Sequence, residues 1–242
     1  MIFKEILNIG SNEIELTTQS QLSKKTISEI QFLIDFFSKE LNHNIKESSA
    51  WKFNNGQIRI PIYVKPEFIQ YFKFVYKIFS NHPDTFEPFS ISFFKIDYVS
   101  FDNNSEYIIK NTDFKFDTSF FRLNFIVQYI AEYLKEKKFD TFLIQWDEKY
   151  IAFGNYAWEV LPGGHKYILN NSSAIFFHYS PSGFESHKFG AIQNELSESD
   201  ALVLGQDLSE LKVLTPQINY LNTKTDLSKF SYENNIKVVF LD

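Results

Sequence analysis

Residues 66–79, PEFIQYFKFVYKIF, place Phe68, Phe72, Val75, Tyr76 and Phe79 three or four positions apart. That spacing is one face of an α-helix. Pro66 suits its first turn, where a missing N–H leaves no bond unmade. Lys73 and Lys77 break the run, which is also too short to cross a bilayer. A face carrying four rings has to be covered, since each buried Phe contributes about 1.5–3 kcal/mol relative to exposure. The same demand recurs along the chain, which holds 28 Phe and 13 Tyr but only 8 Gly and 7 Pro. Its elements must therefore pack ring on ring with few flexible joints. At 242 residues the chain suits one large domain or two small ones.

Two more helices follow from the same periodicity. Ile27, Ile30, Leu33, Ile34, Phe37 and Leu41 mark one, and Leu123, Val127, Ile130 and Leu134 another, capped by Asp117 or Thr118. The lysines at 135, 137 and 138 suit that helix's C-terminus. Strands are expected in a hairpin around Gly10 (2–18), in a hairpin through Asn55-Gly56 (51–64), and over 89–101 and 106–111. After residue 139 the character changes. Residues 140–161, turning near Asp147-Glu148-Lys149, then 167–180 and 236–242 read as strands, with short helices expected at 198–204 and 207–214. Helices and strands mix without strict alternation, which argues for an α+β fold with mainly antiparallel sheets. The expected division is an α+β portion, 1–138, and a β-rich portion, 139–242, which can form one continuous domain.

Several function classes drop out. The absence of cysteine excludes disulfides, thiolate metal sites and cysteine nucleophiles. The first 18 residues carry no uninterrupted apolar stretch, so a cytoplasmic protein is expected. Residues 1–138 hold 17 basic and 17 acidic side chains, whereas 139–242 hold 7 basic and 13 acidic, so the net charge of −6 lies in the second portion. That balance opposes nucleic acid and anionic membranes as partners. Neither GxGxxG nor GxxxxGK[ST] occurs, and no cofactor is expected.

What remains is a set of polar groups. His165, His178 and His187 fall close together, with Glu159 or Glu185 as further donors, yet no compact metal motif matches and no metal is expected. Pro162-Gly163-Gly164 is a tight turn that places His165 at a cleft edge. His178 and Ser180 share a strand face, but the GxSxG elbow of a hydrolase is missing. Trp146, Tyr156 and Trp158 suit either a binding surface or a sheet core.

Residues 194–212 carry Glu195, Glu198, Asp200, Asp207 and Glu210, with no basic residue until Lys212. Helix capping accounts for Asp200 and Asp207. The missing lysines point to an acidic face that docks a basic protein, as a bacterial immunity protein does, through electrostatic steering and burial of a few aromatics. The leading expectation is thus a non-catalytic protein-binding module. The alternative is an enzyme or small-molecule-binding protein whose pocket in the C-terminal sheet uses His165, His178, Glu159 and Ser180. A non-catalytic subunit of a larger assembly would leave the same trace.

Overall fold

The computed structural model describes residues 1–10, 12–82, 87–91, 94–102, 106–179, 199–218, 221 and 224–241. Along the chain these form β1 (Phe3–Ile9), β2 (Asn12–Thr18), α1 (Lys24–Glu40), α2 (Ser49–Asn55), β3 (Ile62–Tyr63), α3 (Pro66–Asn81), β4 (Val99–Phe101), β5 (Tyr107–Lys110) and α4 (Ser119–Glu136). Then follow β6 (Phe142–Trp146), β7 (Lys149–Phe153), β8 (Trp158–Val160), β9 (Tyr167–Leu169), β10 (Ser173–Tyr179), β11 (Ser199–Gly205), α5 (Leu208–Ile218), α6 (Lys224–Glu233) and β12 (Lys237–Leu241). Six helices and twelve strands among the described residues make this an α+β fold, as the mixed periodicities require. None of these helices is long and apolar enough to cross a membrane. Residues 1–7, 12–22 and 135–242 form one compact unit, and residues 8–11 and 23–134 form another.

The helical unit is built on rings. Phe68, Phe72, Val75 and Phe79 of α3 are buried, as their spacing predicts, and Pro66 sits in its first turn. Around Phe72 stand Phe116 at 5.0 Å, Phe53 at 5.5 Å and Phe89 at 5.5 Å between ring centres, most of them tilted or edge-on. Such separations add attraction beyond the area buried. Tyr71 is fully buried in the same cluster, where its hydroxyl donates to the Thr118 carbonyl at 2.7 Å and burial pushes its phenol well up. Phe37 of α1 meets Phe125 and Tyr129 of α4 edge-on at 5.6 and 4.6 Å, and Tyr133 donates to Glu29. Both helices start at polar caps: Ser23 Oγ accepts from Thr26 N, and Asp117 Oδ1 from Ser119 N.

One expected hairpin is replaced. Residues 49–55 are helical, because Ser48 Oγ accepts from Trp51 N and Asn55 Nδ2 donates to the Trp51 carbonyl. Gly56 then ends α2 with φ −74, not in the left-handed turn an Asn-Gly hairpin needs. Ile58 and Ile60 consequently stay exposed, while Ile62 is buried against β5.

The strand-rich unit holds a seven-stranded sheet in the order β1-β2-β6-β7-β10-β11-β12. Leu143, Tyr150, Ala152, Ala174 and Leu202 on one face pack with Trp158, Val160 and Leu169 of the small β8–β9 sheet. Helix α5 lies against β10 and β11. Residues 198–204, read from sequence as a helix, are largely strand β11. Ala201, Leu202 and Val203 are all fully buried between β10 and β12. A central strand covered on both faces is apolar throughout, and over so few residues its pattern matches a buried helix equally well. Helix α6 carries no strong apolar stripe and went unanticipated.

One buried charge sits in the helical unit. Lys110 is 1% exposed, with its ammonium 3.4 Å from the Phe114 carbonyl, 3.9 Å from Asp113 and 5.6 Å from the Phe53 ring centre. Burial pushes its pKa below the ordinary lysine value, outweighing the opposite pull of Asp113. Between the lowered and ordinary values the unfolded chain binds more protons, so stability rises with pH across that window. Lys110→Met should raise the thermal midpoint at pH 7, by about 2–4 °C for each 1 kcal/mol gained, and flatten the alkaline rise. Thermal melts from pH 6 to 10 test this. A lower midpoint in the variant at pH 7 would show that the ammonium's contacts outweigh its burial.

Candidate functional site

Polar side chains gather at one end of the seven-stranded sheet. The β6–β7 turn supplies Asp147 and Glu148, and Asp147 takes φ 47, a left-handed conformation that short polar residues tolerate. Asp200 is the second residue of β11, where it is paired in register with His178 of β10 on one side and Leu241 of β12 on the other. The Phe176 N–H donates to the Glu148 carbonyl at 3.0 Å, which ties the β6–β7 turn to β10. The segment after β8 brings the fourth group. Gly163 and Gly164 hold φ values of 55 and 87, and the His165 N–H closes the turn on the Pro162 carbonyl at 2.9 Å. Glycine reaches this left-handed region at little cost.

The turn delivers His165 to Asp200, with Nε2 3.4 Å from Oδ2. Both side chains are about one-third exposed, at 33% and 31%. Glu148 belongs to the same cluster electrostatically. Burial first, then the negative charges of Asp200 and Asp147, push its carboxyl above the usual range against the pull of Lys149. Lys149 reaches Asp147 at 3.5 Å. On α5, burial and the Lys149 charge push Lys212 down to about 8. Tyr150 is pushed up to about 12 by burial and by Glu148.

Chemically, the cluster combines an imidazole oriented by a carboxylate with a carboxyl that keeps its proton to higher pH than usual. Separate environments for two acid–base groups are what proton transfer in both directions requires. Among the described residues no three His, Asp or Glu side chains come together to hold a metal ion.

Of the residues singled out from sequence, His165 and Asp200 come together, although one was read as catalytic and the other as part of an acidic face. His178 is the register partner of Asp200. Glu159 instead faces Lys166 at 2.6 Å in an exposed ion pair. Asp207 Oδ1 accepts from Ser209 N and Glu210 N at the start of α5, the expected capping role, and Glu210 lies in the first turn. Trp146 and Trp158 are 2% and 3% exposed and belong to the core, with Tyr156 edge-on to Trp158 at 4.6 Å. The Trp158 indole N–H is buried with no partner among the described residues. Ser180, Glu185, His187, Glu195 and Glu198 lie outside the described residues. Glu148, Lys149 and Lys212 carry perturbed or perturbing charges that the sequence reading left as turn and helix residues. The only local trace was the Asp-Glu-Lys turn itself, because the outside charge that acts on Glu148 arrives from β11.

Glu148 binds protons more tightly when folded, so its ionisation lowers stability as pH climbs from the ordinary carboxylate value through the raised one. Glu148→Gln should therefore raise the thermal midpoint at pH 7, by no more than the about 2–4 °C that 1 kcal/mol represents in a chain of this size, with the difference vanishing near pH 4. Equal midpoints at both pH values would place Glu148 in ordinary solvent.

At the level of sequence, no family model and no curated protein matches the chain. Solved structures do match its fold. A flavinyl transferase, ApbE, from Pseudomonas stutzeri aligns at a TM-score of 0.70 and 11% identity, covering 99% of this chain and 92% of that one. The flavin transferase ApbE from Vibrio cholerae aligns at 0.66 and 10%, covering 99% and 93%. The ApbE protein from Thermotoga maritima aligns at 0.68 and 9%, covering 100% and 94%. The chain therefore has the fold of these structures over its full length. This overturns the expected non-catalytic, immunity-type binding module, because the Pseudomonas stutzeri and Vibrio cholerae proteins that share the fold are transferases by description. The alternative, an enzyme or ligand-binding protein with a His-bearing site in the C-terminal sheet, agrees better with them.

Proposed function

We propose that this chain is a transferase that binds a flavin nucleotide and passes its flavin group to an acceptor. The observation that carries the reading is the fold, shared from end to end with flavin transferases at TM-scores of 0.66 to 0.70. The sheet-end cluster supplies support from chemistry. Moving a group onto a hydroxyl or amine requires that the acceptor lose a proton and that the departing fragment gain one. Asp200 holds the His165 ring through Nε2, so Nδ1 is the nitrogen that takes the acceptor's proton. Glu148, whose carboxyl is pushed up, is the group suited to protonate what leaves.

The test is direct. Fluorescence anisotropy of riboflavin, flavin mononucleotide and flavin adenine dinucleotide is measured against the purified chain. Flavin-labelled bands are then sought on a denaturing gel after incubation with the native lysate. A nucleotide form should bind in the micromolar range and label an acceptor. His165→Ala and Glu148→Gln should each slow labelling by about 10²–10⁴-fold while binding persists. No anisotropy change with any of the three flavins at millimolar protein and folded state would sink the reading.

A further inference from the structure

We infer that Phe176 is a positioning residue: the far end of its ring is the seat on which the Pro162–Gly164 turn holds His165 against Asp200. The contact is close enough that a side chain here would displace the ring or the turn. A Cβ built on Gly163 would come within 2.4 Å of the Phe176 Cζ and 2.8 Å of a Cε, so the turn abuts the far end of the ring. Gly164, next in the chain, has an equally left-handed backbone, yet a Cβ there meets nothing within 4 Å. The ring contact is thus specific to Gly163. Register explains what it aims. Phe176 stands opposite Leu202, and Asp200 lies two residues back along β11, on the same face. His165 lies two residues beyond Gly163. A turn seated on Phe176 therefore brings His165 over Asp200, where the 3.4 Å contact is found. Phe176 itself cannot drift, since its N–H is bonded to the Glu148 carbonyl and its strand is paired on both sides. One residue thereby couples the turn bearing His165 to the turn bearing Glu148.

The structural part of this inference stands without the flavin reading; only its consequence for turnover rests on that proposal. The test uses the full chain labelled with 15N-histidine, with the His165 ring signals assigned by their loss in His165→Gln. In the wild type the neutral ring should show the Nε2–H form, and Asp200→Asn defines the pattern when the pair is lost. Gly163→Ala and Phe176→Ala should both move to the Asp200→Asn pattern. Gly164→Ala, equally strained but without the ring contact, and Phe176→Tyr, which keeps the ring, should hold the wild-type pattern. Melting curves confirm folding, and the two retained variants keep the test decisive if either disruptive one unfolds. Wild-type signals in Gly163→Ala or Phe176→Ala, or loss of the pattern in Gly164→Ala or Phe176→Tyr, would overturn the inference. If flavin transfer occurs, Gly163→Ala and Phe176→Ala should lower kcat at least tenfold with little change in KM. Signals that move as expected in a chain that binds no flavin would sink the proposed function alone.

Discussion

The pairing of β2 with β6, Thr18 opposite Phe142 through Glu15 opposite Gln145, is the constraint on which the strand-rich unit depends. It attaches the N-terminal hairpin to a sheet otherwise made from strands after residue 141, with residues 19–141 intervening. Remove it and Phe142, Leu143, Ile144 and Gln145 lose the neighbour on one side of β6, while β1 has no sheet to extend. Closing so long a loop costs conformational entropy before any contact rewards it. The reward is a central strand flanked on both sides, carrying side chains that are almost wholly buried. The site at the sheet end inherits its rigidity from this arrangement, since the β6–β7 turn is held by the strands that flank it.

How much of this was legible in the sequence depends on the range of the interaction that sets each feature. Helices α1, α3 and α4 were readable because their stripes and caps lie within one segment: Ile30, Ile34 and Phe37, or Phe68, Phe72 and Val75, bury on a single face. The hairpins through Gly10 and through Asp147-Glu148 were readable for the same reason. Strand β11 was not, because Ala201, Leu202 and Val203 are buried by β10, β12 and α5 together, and a run apolar on both faces has no period of its own. Helix α2 was missed because Asn55-Gly56 is a strong turn signal locally, and only the side-chain bond from Asn55 to the Trp51 carbonyl shows that it ends a helix instead.

The site divides in the same way. Sequence put His165 at a turn and Asp200 in an acidic stretch, but assigned them to rival functions. Their meeting depends on the Gly163–Phe176 contact and on the β10–β11 register, neither of which local pattern encodes. The acidic stretch that looked like a single surface resolves, over its described residues, into local duties. Asp200 faces an imidazole and Asp207 starts a helix. A shortage of lysine in such a segment is then a condition for leaving those carboxylates to their assigned partners.

The indole N–H of Trp158, buried without a hydrogen-bond partner among the described residues, has an optical consequence. An unbonded N–H in an apolar core costs about 1–3 kcal/mol, so the surrounding packing must offset it. It also leaves the excited indole without a hydrogen-bond partner among the described residues to relax against. Trp158 and Trp146 both belong to the strand-rich unit and Trp51, only partly covered, to the helical one. Tryptophan emission from this protein is accordingly dominated at the blue edge by one unit, and a red shift reports the opening of its β8–β9 cover without any added label.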